Sequence, residues 1–337
     1  MIDVLVAGGG PAGLATAIRA ALAGLDSVVV EPRAAPVDKA CGEGVMPAGV
    51  AALRDLGIGL QGRELHGIRY LDRAYRAEAR FREGTGLGVR RTVLHAALHR
   101  RAREVGVRMI DGRIGVVHQD ADSVTAGGLT ARWLIAADGL HSPLRRRLGL
   151  DLPARGPGRY GLRRHYRCAP WTDFVEVHWS RYGEAYVTPV GDDLVGVAVL
   201  SHSRQGYDAH LAGFPALSAA LRGPYASAVR GAGPLRQRVR RRVAGRVLLV
   251  GDAAGYVDAL TGEGIALALA TAGAAVRCLL AGRPEDYERA WAALTRRHRL
   301  LTGALLTASR SPHTARLIVP AAARMPSVFA AAVHALQ

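Results

Sequence analysis

The chain has 337 residues, with 45 Lys+Arg against 28 Asp+Glu for a formal charge of +17, and 49% of it is hydrophobic. That apolar content excludes a disordered chain; three scattered cysteines, Cys41, Cys168 and Cys278, exclude a disulfide framework or a zinc site and point to a reducing compartment. The charge sits on arginines spread along the chain, with short runs at 145–147 and 240–242, and with no recognition motif beside it we read an Arg-for-Lys bias and no nucleic-acid partner.

The chain opens on an apolar run, Val4-Leu5-Val6-Ala7, that leads into Gly8-Gly9-Gly10-Pro11-Ala12-Gly13. A helix is predicted over 14–23, ended by Gly24, and a second apolar strand over 27–31, closed by Glu31. This is the grammar of a parallel sheet covered on both faces. In Gly8-x-Gly10-x-x-Gly13 the glycines allow a tight turn, close approach of a pyrophosphate and close helix–strand packing. The helix start offers unpaired N–H groups to phosphate. Glu31 is placed to bond ribose hydroxyls. By itself the motif serves NAD and FAD equally.

Residues 32–47 read as a loop carrying Cys41-Gly42-Glu43-Gly44, followed by a helix over 48–56. The stretch 63–90 alternates charged and apolar residues, as exposed strands do. A helix is predicted over 91–105 from Leu94, Leu98, Ala102 and Val105. His95 and His99 lie on it at metal-like spacing, but without a third ligand they read as a solvated face. Strand-like segments follow at 107–110, 114–119, 123–126 and 133–137, the last ending at Asp138-Gly139.

From 159 to 200 the pattern alternates with period two, the mark of an antiparallel sheet with one covered face. His165, Tyr166, His178, Trp179, Tyr186 and Thr188 are its polar and aromatic members. Tyr186 and Thr188 share a face, and His178 faces opposite to Trp179. Residues 208–231 read as helical. A buried strand at 246–250 ends at Gly251-Asp252, where the carboxylate is placed to accept a ribityl hydroxyl. Thr261-Gly262-Glu263-Gly264 then leads into an Ala/Leu-rich helix whose first N–H groups favour negative charge. Residues 285–337 read as helices broken by Pro312, Pro320 and Pro326; the run 240–242 reads as surface. No window reaches the ~18–20 apolar residues of a membrane span, and the start lacks a secretory pattern, so the expected location is cytoplasmic with no transmembrane segment.

These three motifs together resemble the glutathione-reductase-type FAD proteins of the aromatic hydroxylase (group A flavin monooxygenase) and geranylgeranyl reductase superfamily. The resemblance covers about residues 1–280. It implies an α/β fold: a Rossmann FAD-binding domain with an inserted antiparallel-sheet substrate domain and C-terminal helices. The expected boundaries are 1–62, 91–150 and 243–282 for FAD, 63–90 and 151–242 for substrate, and 283–337 for the helical tail. It implies FAD bound in extended form by Gly8, Gly10, Pro11, Ala12, Gly13, Glu31, Asp138, Gly251, Asp252, Gly262, Glu263 and Gly264. Arg91, at the head of Arg-x-x-Leu-x-x-x-Leu, and Arg33 are the expected phosphate partners, and Cys41 and Gly42 are expected against the flavin ring. Lys39 is a further loop cation.

The implied reaction is monooxygenation of an aromatic or polyunsaturated small molecule by O2 through a flavin C4a-hydroperoxide, in biosynthetic tailoring. NAD(P)H, binding transiently, or a partner reductase would supply the electrons. No metal is expected. His165, His178 and Tyr186 are the catalytic candidates. The motifs Cys41-Gly42-Glu43-Gly44 and Thr261-Gly262-Glu263-Gly264 look more like the geranylgeranyl reductase branch, and Asp258-Ala259-Leu260-Thr261 lacks the Pro of many hydroxylases. The alternative reaction is therefore saturation of a C=C bond in an isoprenoid. A flavin-binding protein without turnover is the reading from a different class.

Overall fold

The computed structural model describes residues 1–154 and 156–336. Its first layer is a sheet whose central strands run parallel, in the spatial order Val247–Leu249, Leu129–Ala136, Ile2–Ala7, Ser27–Glu31 and Arg108–Asp111. Val4, Leu5, Val6, Val28 and Val29 are wholly buried because helices cover both faces. Helix Pro11–Leu22 packs on Gly264–Leu280 and on Arg91–Glu104. Its buried face carries Ala12, Ala15, Thr16, Ala17 and Ala20. These small side chains let the two apolar helices lie close together.

The second layer is a seven-stranded sheet in the order Arg230–Ala232, Tyr160–Arg167, Leu194–Ser201, Gly183–Gly191, Phe174–Ser180, Gly67–Leu71 and Arg76–Arg80. Neighbours are antiparallel except Phe174–Ser180 beside Gly67–Leu71. The middle of the alternating stretch 63–90, residues 67–80, and the stretch 159–200 thus share one sheet. A small sheet of Gly44–Val45, Gly86–Gly88 and Arg63–Leu65 joins the layers.

The tail begins with the long helix Asp286–Arg310, which buries Tyr287, Trp291, Thr295, His298, Thr302 and Leu306. Their spacing of three and four puts them on one stripe. Helices Ile318–Arg324 and Pro326–His334 then cover the outer edge of the second sheet, where Phe329 and Val333 pack on Ala77 and Ala79. Among the described residues no single helix is long and apolar enough to cross a membrane.

The structure corrects several local expectations. Residues 208–231 form two short helices, Tyr207–Leu211 and Pro215–Ala220, and then turn into a strand. Pro215 and Pro224 interrupt the run, and a Cβ at Gly223 would sit 1.7 Å from the Arg167 carbonyl oxygen. Pro312 and Pro326 start helices, but Pro320 lies in the first turn of Ile318–Arg324, where no helical N–H is needed. Arg242 is not a surface arginine. Its guanidinium lies 3.7 Å from the Trp291 ring centroid, and its Nε donates to the Ala254 carbonyl.

Candidate active site

A cavity of about 690 Å³ runs between the two layers. At one end lie Glu31 and Arg33, in the middle Gly8, Gly10 and Pro11, and at the far end the second sheet with Tyr186 and Leu200.

The glycine turn is set by backbone crowding. Gly8 has φ +107, and a Cβ there would lie 2.5 Å from the Ala137 carbonyl oxygen. A Cβ at Gly13 would lie 1.9 Å from the Gly8 carbonyl oxygen. Gly10 is different, since a Cβ there would meet nothing within 4 Å. The open space lies over the start of helix Pro11–Leu22, whose N-cap has no side chain bonded to the first N–H groups. An anion fits that position.

Glu31 takes the Gly9 N–H on Oε2 at 2.7 Å and the Arg33 Nε on Oε1 at 2.6 Å. Burial alone would raise its pKa, but the Arg33 guanidinium and the Gly9 N–H outweigh burial and hold it below the usual carboxylate range. Arg33 therefore stays at the Glu31 end of the cavity. Arg91 lines the cavity and leaves its buried Nε without a partner among the described residues. Asp138 accepts the Leu144 N–H at 3.0 Å, and its second carboxyl oxygen is buried and unpartnered. Burial raises this carboxyl above its ordinary value.

The third motif forms a 3-10 turn, Gly251–Ala254. Gly251 has φ +59, and a Cβ on it would lie 2.6 Å from the Ala12 side chain. Asp252 and Gly262 line the cavity, and Glu263 stands at the N-cap of helix Gly264–Leu280. The Glu263 carboxylate pairs with His298 Nδ1 at 2.8 Å. Cys41 lines the cavity, with burial pushing its thiol up, so it is held as a thiol. Gly42 accepts the Thr188 hydroxyl on its carbonyl at 2.8 Å.

The open ground over Gly10, the free helix start and the unpartnered polar atoms of Asp138 and Arg91 fit an elongated dinucleotide. Residues 1–162 match the family model described as FAD binding domain. Over 329 residues the chain is 31% identical to a menaquinone reductase of Mycolicibacterium smegmatis, an alignment that spans 88% of this chain and 80% of that protein. The chain belongs to the FAD-dependent oxidoreductases of the aromatic hydroxylase and geranylgeranyl reductase superfamily. A digeranylgeranylglycerophospholipid reductase of Methanopyrus kandleri is 32% identical over 79% of this chain and 77% of its own length. Among solved structures, a probable FAD-dependent monooxygenase from Pseudomonas aeruginosa superposes with a TM-score of 0.76, covering 94% of this chain and 98% of its own at 23% identity. That likeness shows the fold.

The far end of the cavity is walled by the second sheet. Tyr186 and Thr188 both line it, as their shared face requires. The Tyr186 hydroxyl donates to the Leu260 carbonyl at 2.8 Å, and burial followed by the nearby Glu184 charge raises its pKa well above the ordinary value. The other two catalytic candidates are not on the wall. His178 turns to the opposite face and meets Glu176 at 3.2 Å. His165 is fully buried, with both ring nitrogens bonded, Nε2 to Glu43 Oε2 at 2.5 Å and Nδ1 to the Ser227 hydroxyl at 2.8 Å. Strand alternation gave the face of each residue, but not the depth of His165 behind its neighbour.

Glu43 itself was named only as part of a motif, yet it lines the cavity and is 2% exposed. Arg145 was read only as one of a run of charges. It is fully buried and donates to Asp151 at 2.6 Å, to Gln237 at 2.7 Å, and to the carbonyls of Leu140 and Ala253 at 3.1 and 3.2 Å. It thus ties the loop after Asp138 to the Gly251–Ala254 turn.

His95 is a correction too. It is 1% exposed, and its Nε2 donates to the Gly9 carbonyl at 2.9 Å, bracing the glycine turn from behind. Burial first, and then the Arg91 charge, keep the ring neutral down to about pH 4, from an ordinary value of 6.5. The unfolded chain therefore binds this proton first, so stability falls as pH drops from about 6.5 to about 4. The expected loss is on the order of 3 kcal/mol. Melting His95→Gln beside wild type across this range checks it; the variant should show a flatter pH dependence, and parallel curves would remove His95 as the cause.

Proposed function

We propose that this chain is an FAD-dependent reductase that adds two hydrogens across a C=C bond of a long apolar, isoprenoid-type substrate. The observation that carries this reading is the far end of the cavity, where Met46, Val175, Tyr186, Ala198, Leu200 and Leu235 present carbon surface. Such a wall rewards an apolar chain and gives little to a polar ring. The names of the two reductase relatives, over most of their length, support the same substrate class.

In this reading residues 1–62, 91–150 and 243–282 hold FAD, and 63–90 and 151–242 shape the substrate side. Glu31 bonds the adenosine ribose. The N–H groups after Gly10, with Arg91, face the pyrophosphate. Asp252 takes a ribityl hydroxyl, and the backbone from Gly262 to Gly264, with Cys41 and Gly42, borders the ring. Bound FAD, once reduced, supplies hydride chemistry. The protein excludes water and orients the double bond; Tyr186 keeps its proton on Leu260 and serves as a wall. NAD(P)H or a partner reductase is the proposed electron source.

The test is an anaerobic one. Photoreduced holoprotein mixed with a polyprenyl quinone or a geranylgeranyl lipid should be reoxidised without O2, and the product should gain two hydrogens by mass. Reoxidation that requires O2, with 18O in the product, would overturn this proposal in favour of the oxygenation suggested by the hydroxylase resemblance.

A further inference from the structure

A second cavity, of about 300 Å³, lies between the long helix Asp286–Arg310 and the segment 236–242, with Gly251 and Asp252 in its wall. Asp252, Tyr256, Gly264 and Ala268 line both cavities, so the two share a wall. We propose that the second cavity binds a small phosphate-bearing molecule. Arg236, Arg242 and Arg299 take its phosphoryl oxygens, and Val239, Val257 and Leu267 take its carbon body. None of these six residues lines the first cavity, so the site is separate from the proposed reaction.

The charge on this wall is not balanced. Four guanidiniums line it, those of Arg236, Arg238, Arg242 and Arg299, and among the described residues the carboxylate beside them is that of Asp252. Glu288 approaches from outside, 3.6 Å from Arg242 Nη1, and accepts the Val243 N–H at 3.0 Å. Arg238 Nη1 donates to the Pro153 carbonyl at 3.0 Å. Arg236 and Arg299 stand at the exposed rim, and among the described residues neither meets a carboxylate or a hydrogen-bond acceptor. Arg242 and Arg299 lie 3.7 and 5.4 Å from the same Trp291 ring centroid, so two like charges flank one indole. Burial first, and then the Arg299 charge, hold the Arg242 guanidinium below its ordinary value in spite of Glu288. Positive charge crowded into a concave, half-dry wall is relieved by an anion.

Buried charges elsewhere in this fold carry their partners with them. Arg159 has Glu184 and Asp258, and Arg163 has Asp38. Glu43, whose backbone turns at φ +62, takes the Arg91 N–H at 2.8 Å and meets His165. Those clusters are closed by their own members. The second cavity is not, and its neutral polar groups are already engaged: Thr271 donates to the Leu267 carbonyl, Thr295 to the Trp291 carbonyl, and His298 Nδ1 meets Glu263. The guanidiniums are therefore the permanent charges left to a ligand.

Their arrangement selects the ligand. A guanidinium fork matches two oxygens of a phosphate at once. Two forks arrive from the 236–242 segment and one from the long helix. Donors converging from two elements suit a tetrahedral dianion better than a planar carboxylate with two oxygens. The volume is less than half that of the first cavity, which rules out a second elongated dinucleotide and suits a phosphomonoester with a short carbon body.

Titration calorimetry on the FAD-loaded protein tests this, since the cofactor's own phosphate site is then filled. Inorganic phosphate and butyl phosphate are the probes, and chloride at matched ionic strength is the blank. Both probes should bind at one site per chain and raise the melting temperature, with butyl phosphate the tighter because its carbons leave water. Arg236→Met and Arg299→Met each remove a charge without a protein partner. FAD content and the unliganded melting temperature should match wild type, while both probes bind ~10-fold or more weakly. Arg240→Met, exposed and outside both cavities, should bind them as wild type does. No heat beyond the chloride blank, or affinities unchanged in both Arg236→Met and Arg299→Met, overturns the site. Inorganic phosphate binding as tightly as butyl phosphate overturns the place given to the carbon body.

Discussion

Replacing Arg145 by methionine should cost about 3–5 kcal/mol and strip the protein of its flavin. The guanidinium is 0% exposed and reaches in several directions at once, to Asp151, Gln237 and the carbonyls of Leu140 and Ala253. Methionine fills the volume but leaves the two buried carbonyls without donors, each such loss costing ~1–3 kcal/mol. The loop after Asp138 and the Gly251–Ala254 turn would then drift apart, and both border the cavity. Arg145→Lys should rescue little, because a compact ammonium cannot span a planar fork of partners. Thermal melts should show a drop on the order of 10 °C, and gel filtration should separate protein from flavin. The same substitution at Arg240, an exposed arginine outside the cavity, is the control and should move neither readout. A variant that melts with wild type and stays yellow would show that the clamp contributes nothing.

What was legible from sequence was local. Glycines that follow an apolar strand state their geometry in a few residues, so the cofactor turn and the two later strand ends could be read one by one. Strand alternation likewise put Tyr186 and Thr188 on one wall. Burial and distant pairing are not local. Arg145 stands in a run of three arginines whose other members are exposed, and nothing in the run marks which one folds inward. His165 meets a glutamate 122 residues away. Glu43 belonged to a visible motif, but only its backbone conformation and its partners single it out. His95 looked solvated because a histidine on a helix has no signature for the carbonyl behind it.

The arginine bias changes meaning in the same way. Many arginines close specific contacts: Arg159 bridges Glu184 at 2.6 Å and Asp258 at 3.2 Å between the second sheet and the segment before Thr261. Burial pushes the Asp258 carboxyl up to about 6 in spite of that guanidinium. Arg69, Arg163 and Arg242 hold other buried or half-buried carboxylates or rings. Fork-shaped cations that satisfy several acceptors at once suit a fold made of two sheets and an interposed cavity.

The glycines of the cofactor turn make the second large prediction, and it separates folding from binding. Gly13→Ala places a methyl carbon 1.9 Å from the Gly8 carbonyl oxygen, which is backbone and has no side chain to swing away. Helix Pro11–Leu22 must then lift from strand Ile2–Ala7, at a cost at or beyond the upper end of the ~1–3 kcal/mol typical of overpacking. The flavin-free variant should melt well below flavin-free wild type. Gly10→Ala adds the same methyl where nothing lies within 4 Å, at a residue whose φ of −73 suits any side chain. The flavin-free fold should be untouched, yet that open ground is where the pyrophosphate is proposed to lie. FAD affinity should drop about tenfold or more, a loss of ~1.4 kcal/mol or greater. Flavin fluorescence titration and melts of the flavin-free proteins test both at once. If Gly10→Ala binds FAD as wild type does, the pyrophosphate does not cross this turn; if Gly13→Ala melts with wild type, the helix is less tightly seated than the 1.9 Å approach requires.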